Sequence, residues 1–299
     1  MPKKKYKTKI SLTEDKFTEF LYQTLAWGPL YKKADGKAIK NLDNNAEKYI
    51  KESLKIIKIS AKSLKNKTVF NIGTGREAKV FAKYGALVTH LDIGKETVKE
   101  VKKWSKKQKK KIKSFSGDIN DFDLGLKKFD IIFLAGVYQH LKTPAYCLIK
   151  FLNALKTNGI MYLGFYRTGE FKYFIVDAIR YLINKTLLPK IRELNSIIYC
   201  TGHLNHYQSS RVMDDFFVPY KHNFHPRDVI YDIRKLGGEI LYFDNDMREY
   251  NHESKKYFSI GGDRIYIKKK RDSLNQLSVV KKLKTTKGIN QIFDVKYKE

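Results

Sequence analysis

The chain has 299 residues, 42% of them hydrophobic and 13% aromatic, enough to build the core of one α/β domain with attachments or of two small domains. No apolar run approaches the roughly 18 residues of a membrane span, the longest near the centre being Ile131–Val137. The formal net charge of +29 invites a nucleic-acid partner, but only ten of the 60 basic residues are arginine, whose bidentate fork suits phosphates and bases.

Ser11-Leu12-Thr13-Glu14 has the form of a capping box and predicts a helix through about Ala26, broken by Trp27-Gly28-Pro29. A polar loop with Asp35-Gly36 follows, then a long amphipathic helix from about Asn45 to Leu64. Its apolar positions Ile50, Leu54, Ile57 and Ala61 recur at three- and four-residue steps. Thr68–Ile72 reads as a short buried strand running into Gly73-Thr74-Gly75, and the helical pattern after it stops at Gly85. A second apolar run, Leu87–Leu91, ends on Asp92. The lysine-rich stretch 95–109 predicts a helix, Ile112–Phe115 a short strand leading to Gly117-Asp118-Ile119, and Phe129–Ala135 an apolar strand followed by Gly136-Val137-Tyr138-Gln139-His140. A helix over Pro144–Leu155 should stop before Asn158-Gly159, with another apolar strand at Ile160–Tyr166. Residues 170–222 interrupt this rhythm with a long helical segment and a loop rich in Tyr, His and Asn. A helix from Pro226 to Leu236 then leads to strands Glu239–Phe243 and Arg264–Lys269, which can pair antiparallel.

Strand–helix alternation implies a parallel sheet covered on both faces. The expected divisions are a helical lead-in at 1–66, an α/β core at 67–169, a cap insertion at 170–222, a closing helix and strand pair at 223–270, and a basic tail at 271–299. The lead-in and the insertion are expected over the carboxyl edge of the sheet, where ligands bind in such folds.

Residues 68–92 carry the strongest chemical signal. Two glycines between a buried strand and a helix let backbone and ligand approach closely at a helix N-terminus. Asp92, 17 residues after Gly75, is placed to accept hydrogen bonds from a ribose diol. The unit therefore predicts an adenosine-containing cofactor. Gly73-x-Gly75-x-x-Ala78 also satisfies the dinucleotide fingerprint, so a nicotinamide enzyme is the rival reading.

Four pieces together resemble the class I S-adenosylmethionine-dependent methyltransferases. They are VFNIGTG (69–75), LD (91–92), GDI (117–119), and FDIIFLAGVYQHLKTP (129–144) with LKTNGIMYLGFY (155–166). The likeness is close over roughly residues 60–170 and points to the subgroup acting on small molecules; the same segments are also similar to the enzyme that carboxymethylates the tRNA wobble uridine. It implies a Rossmann-like, seven-stranded, mainly parallel sheet with an antiparallel last strand, and S-adenosyl-L-methionine as cofactor. Asn71, Gly73, Gly75, Asp92, Asp118, Ile119 and Ala135 would contact that cofactor, with Asp118 on the adenine amine and Ile119 flanking the ring. Asn71 departs from the pattern, since the family usually has an acid there, and Glu77 stands where a third glycine is frequent.

A hydroxyl or amine acceptor needs a base to remove its proton as the new bond forms. His140, just past the fourth strand, is the candidate, its alternative role being a capping or packing histidine. Tyr138 and Tyr166 occupy comparable strand ends and would shape the acceptor pocket, and Arg167 could offer a cation to an anionic acceptor. His203, His206, His222 and His225 form two His-x-x-His pairs, but no cysteine or carboxylate pattern completes a metal site, and no metal is expected. Asp214-Asp215 ahead of Phe216–Tyr220 reads as a turn that helps to cover the pocket. Two cysteines, Cys147 and Cys200, make no disulfide framework, and the basic start is followed by Ser11–Asp15 instead of an apolar signal core, so a cytoplasmic enzyme without a membrane span is expected. The aromatic, helical insertion favours an enclosed pocket and a small-molecule acceptor. The lysine clusters at Lys3–Lys5, Lys102–Lys113 and Lys268–Arg271 keep two alternatives open: modification of tRNA or rRNA, or a solvated surface. A cofactor-binding protein that has lost catalysis is a further alternative.

Overall fold

The computed structural model describes residues 14–24, 36–168, 171–186, 204, 206–243, 263–270 and 283. Seven strands form one sheet: β1 (Thr68–Ile72), β2 (Leu87–Asp92), β3 (Ile112–Ser116), β4 (Phe129–Leu134), β5 (Leu155–Phe165), β6 (Gly238–Phe243) and β7 (Asp263–Lys269). Their order across the sheet is β3-β2-β1-β4-β5-β7-β6. All contacts from β3 to β5 are parallel, and β7 runs antiparallel between β5 and β6. The sequence expectation of a mainly parallel, seven-stranded sheet with an antiparallel last strand holds.

Parallel strands covered on both faces are read in sequence as unbroken apolar runs. In β1, Phe70 and Ile72 point into a core shared with α5 (Pro144–Ala154) and α8 (Pro226–Lys235), through Leu148, Phe151, Val229 and Ile233. Val69, the neighbour of Phe70, points to the other face, into a core shared with α2 (Gly36–Ile56) and α3 (Arg76–Lys83) through Ile50, Leu54, Val80 and Phe81. On that second face Phe133 of β4 stacks on Tyr162 of β5 with ring centroids 4.3 Å apart. The remaining helices are α1 (Glu14–Thr24), α4 (Lys95–Lys107), α6 (Phe171–Thr186) and α7 (His206–Phe216). None of the helices is long and apolar enough among the described residues to cross a membrane.

Two boundaries differ from the sequence expectation. The long N-terminal helix begins at Gly36 and ends at Ile56, after which Lys58 turns left-handed (φ 56°) and Ala61–Leu64 forms one 3-10 turn. The apolar steps through Ile57 and Ala61 continue across the break, so periodicity alone could not reveal it. β5 begins at Leu155, not Ile160, because Asn158 adopts φ 63° and the pairing with β4 shifts register between Phe129 and Ile131. Asn158-Gly159, before which the preceding helix is expected to stop, is accommodated there as an irregularity inside the strand.

The placement of the lead-in also differs in part. α2 lies against a sheet face, where the buried Lys79 ammonium bridges Asp43 of α2 (3.3 Å) and Glu100 of α4 (3.4 Å). α1 and α7 are the pieces found at the carboxyl ends of the strands. They meet in a small separate apolar cluster of Leu21, Met213 and Val218, with Phe17, Tyr22 and Phe217 packed on it.

Candidate active site

A cavity of about 310 Å3 opens at the carboxyl ends of β1, β2, β3 and β4. This is where the strand order reverses, between β1 and β4, and where open α/β sheets bind ligands. One end is made by the loops after β1 and β2. Gly73 has φ +114° and Gly75 φ +74°, both in the left-handed region that favours glycine. At Gly75 packing is equally strict: a Cβ there would stand 2.3 Å from Val101 Cγ2 and 3.0 Å from His90 Nε2. His90 is fully buried and holds the loop from beneath. Its Nε2 lies 2.7 Å from the Gly73 carbonyl, which can only accept, so Nε2 carries the proton and Nδ1 accepts from the Ser114 hydroxyl at 2.7 Å. Burial holds its pKa down at about 4, which keeps that arrangement neutral.

Asp92 borders the cavity beside this loop. The Gly94 N–H donates to its Oδ1 at 2.6 Å, and the Thr97 hydroxyl also donates to the carboxylate. Burial nevertheless pushes the carboxyl up to about 7, against the pull of those two donors. The following wall is Gly117-Asp118-Ile119, all three on the lining. Asp118 Oδ1 accepts from the Asn120 N–H (2.8 Å) and the Asn120 side-chain amide (2.7 Å), the Asx turn that a Gly-Asp at a strand end makes. Ala135 lines the cavity as well. Asn71 does not. It is fully buried, and its amide donates to the Phe133 carbonyl at 3.2 Å.

The other end is built by residues distant in sequence. His140 ends a short 3-10 turn after β4 (Tyr138–His140), with its side chain 7% exposed. Its Nδ1 lies 3.1 Å from the Tyr220 carbonyl and therefore carries a proton. Its Nε2, buried and without a hydrogen-bond partner, stands 3.5 Å from Asp214 Oδ2. Asp214 in turn accepts a 2.7 Å hydrogen bond from the hydroxyl of Tyr22 in α1. Burial, and then the charge of Asp214, push the Tyr22 hydroxyl well above its ordinary range, so it stays a donor. Tyr166 packs edge-on to the His140 ring (centroids 5.5 Å) and lies 3.5 Å from Asp215 Oδ1.

Of the residues expected in the acceptor pocket, Tyr166 and His140 line the cavity, whereas Tyr138 and Arg167 do not. Tyr138 is fully buried against Phe224, with centroids 4.9 Å apart. Arg167 faces Asp263, its Nη1 3.9 Å from the carboxylate. Asp214 and Asp215 stand in the last turn of α7, not in a separate turn. Tyr220, in the stretch expected to cover the pocket, lines the cavity, as do Thr18, Tyr22 and Asn120, which the sequence reading missed. Asn120 is placed by its turn with Asp118, whereas nothing local marks Thr18 or Tyr22, which reach the site by a chain crossing. His222 donates from Nε2 to the Leu141 carbonyl at 2.9 Å, and His225 caps α8 by accepting from the Arg227 N–H. His203 lies outside the described residues, as does the side chain of His206.

The cavity fits the cofactor the motifs imply. Gly73 and Thr74 of the glycine loop, the half-buried Asp92 carboxylate at the end of β2, and the Asp118–Ile119 wall line one cavity together with His140, whereas Gly75 packs behind the loop against Val101 and His90. A sheet of this order with such a site defines the class I methyltransferases that use S-adenosylmethionine. The sequence agrees: residues 70–163 match the family model for a methyltransferase domain, which supports an S-adenosylmethionine-dependent methyltransferase. Its fold is similar to phosphoethanolamine N-methyltransferase 1 of Haemonchus contortus, solved with phosphoethanolamine and S-adenosylhomocysteine. That match has a TM-score of 0.55 at 13% identity and covers 95% of this chain and 55% of that one. It is also similar to magnesium protoporphyrin IX methyltransferase of Synechocystis PCC 6803 with bound S-adenosylmethionine (TM-score 0.53, 11% identity, covering 88% of this chain and all, 100%, of the other). Among curated proteins, none matches this chain.

Proposed function

We propose that this methyltransferase acts on a small molecule enclosed beneath α1 and α7, with His140 as general base. Bound S-adenosylmethionine supplies a methyl group carried on a positively charged sulfur. Gly73 and Gly75 would lie under its methionine end, Asp92 would accept from the ribose diol, and Asp118 and Ile119 would take the adenine. The chain itself contributes the proton transfer. With Nδ1 donating to the Tyr220 carbonyl, the Nε2 lone pair is left to take a proton from the acceptor, and the imidazolium so formed gains the Asp214 carboxylate. The observation that carries the reading is this Nε2, buried in the cavity wall and lacking a hydrogen-bond partner while a carboxylate stands 3.5 Å away. The Tyr22–Asp214 bond joins α1 to α7 beside His140, and an acceptor end covered in this way suits a metabolite better than a polymer.

The exposed lysines of α4 and the β3 edge, Lys102, Lys103, Lys106, Lys107 and Lys113, favour a second reading, RNA as acceptor. Incubating the enzyme with methyl-labelled cofactor and either a metabolite extract or total RNA separates the two. Label in the metabolite fraction supports the proposal. Label in RNA overturns it, and label in neither, despite cofactor binding, marks an inactive cofactor-binding protein. His140→Ala should slow methyl transfer by about 100- to 10,000-fold, the range for a positioned general base, with cofactor affinity unchanged.

A further inference from the structure

The acceptor end of the cavity has a distinct chemical character. Tyrosines from three separate segments, Tyr22, Tyr166 and Tyr220, line it together with His140 and Asp214. The positive groups around it are turned away or committed. Arg167 faces Asp263, and the Lys221 ammonium, wholly buried behind the Tyr166 ring, is paired with Asp177 at 2.7 Å. Arg180 donates to the carbonyls of Asp215 and Val218. Two cations, Arg76 and Lys142, also line the cavity. Arg76 opens α3 behind the glycine loop, its Nε donating to the Thr74 hydroxyl. Lys142 precedes Thr143, whose hydroxyl donates to Asn120 beside Asp118.

We infer that the acceptor is a small cationic amine, recognised by the Asp214 carboxylate and the surrounding tyrosine rings, and methylated on nitrogen. The inference rests on the reading that this cavity holds a small acceptor next to His140. Tyrosine rings with a carboxylate among them attract an ammonium group. The partnerless Nε2 of His140 then has a defined task. The ammonium cannot attack while all four of its electron pairs are in bonds. His140 Nε2 removes one proton, and the nitrogen lone pair forms the N–C bond. As it does so the C–S bond breaks, its electron pair stays on sulfur, and the proton remains on the imidazole beside Asp214. Product and cofactor remnant leave as methylammonium and a neutral thioether. A carboxylate that first attracts the ammonium and then holds the imidazolium keeps the charge in this corner balanced through the transfer.

The test uses the full chain, methyl-labelled cofactor, a panel of short alkylamines, and the alcohols and carboxylates of matching length. A metabolite extract is run in parallel and its labelled products passed over a cation exchanger at neutral pH. The expected result is label in amines of the panel and in the retained fraction of the extract. Asp214→Asn should raise the KM for the amine at least tenfold while the cofactor dissociation constant moves less than twofold, which also shows that the variant is folded. If Asp214→Asn does not fold, Tyr166→Leu serves, with the same split expected. Label confined to alcohols, carboxylates or unretained products overturns the amine assignment and leaves the small-molecule reading standing. An unchanged amine KM in a folded Asp214→Asn overturns Asp214 as the recognition group. Label only in RNA overturns both readings.

Discussion

The two ends of the cavity are made in opposite ways. At the cofactor end, each group sits within a few residues of a strand terminus, and the strands are held by two cores packed on either face of the sheet. At the acceptor end the contacts span the chain: Tyr22 meets Asp214 across 192 residues, and His140 meets Tyr220 across 80. Among the described residues, α1 and α7 of the cap meet in a small cluster around Leu21, Met213 and Val218, and Arg180 of α6 donates to the carbonyls of Asp215 and Val218. Part of the site is therefore fixed by the sheet, and part depends on a cover assembled from segments distant in the chain. Substitutions at the first end should cost fold and cofactor together, whereas those at the second should act on the acceptor alone.

The strongest way to break this contrast lies at Gly75. Gly75→Val places a side chain at φ +74° and drives its Cβ to within 2.3 Å of Val101 Cγ2. Left-handed strain and overpacking together should destabilise the protein by about 2–5 kcal/mol. Denaturant unfolding should show this, with cofactor binding lost in the same variant; wild-type stability would mean that the loop is not held by the sheet.

A smaller effect is expected at Asp92. Asp92→Ala should weaken cofactor binding by about 1–3 kcal/mol through loss of charge-assisted hydrogen bonds. In the wild type the carboxyl titrates near 7, raised from the usual carboxylate range by burial. A ligand that needs the charged form should therefore bind more weakly as pH falls from 8 to 6, and calorimetry should show affinity declining over that window in the wild type and flat in the alanine variant. The sign reverses for stability. A raised folded-state pKa means that this group favours the folded state only while protonated, and that contribution is lost as pH rises through about 7. Asp92→Asn, which keeps an oxygen for the Gly94 and Thr97 donors, should thus raise the melting temperature of the ligand-free enzyme most at pH 8 and least near pH 4. No gain at pH 8 would show the carboxylate to be already compensated.

The smallest effect sharpens the comparison. Tyr22→Phe removes the α1–α7 hydrogen bond and leaves the ring, costing about 1 kcal/mol and raising the acceptor KM about fivefold. Cofactor affinity should stay within twofold. A matching loss in cofactor affinity would show that the two ends are coupled and that the cover belongs to both.

The same contrast explains what could be read from sequence. The strand–glycine–helix signal at 68–92 is local, and so are the burial of β4 and the Gly-Asp turn at 117–118, because one strand and its own turn contain the whole pattern. Asn71 was misleading in its environment: next to the glycine loop in sequence, its side chain alternates away from the cavity and donates to the Phe133 carbonyl inside the sheet. Arg167 was set near the acceptor by adjacency to Tyr166, but the bridge from Arg167 to Phe224 and the nearby Asp263 give it other surroundings. Thr18 and Tyr22 carry no pattern of their own, since a tyrosine on a helix is equally a core residue until the opposing carboxylate is known. His140 was visible because it follows a strand end, and its partners were not.

The position of β7 has a consequence for how the polypeptide is made. Sixth in spatial order yet the last of the described strands along the chain, it fills the gap between β5 and β6 and is pinned at its far end by the buried Lys269 ammonium on the Leu155 carbonyl at 2.9 Å. While the ribosome is still adding residues up to about 269, the Rossmann-like core already emerged would present the bare edge of β5, with Met161 and Leu163 in it. Nascent chains halted between β6 and β7 should therefore be the sticky species, prone to pair with one another or to recruit a chaperone, and the release of that tendency should coincide with the emergence of Asp263–Lys269.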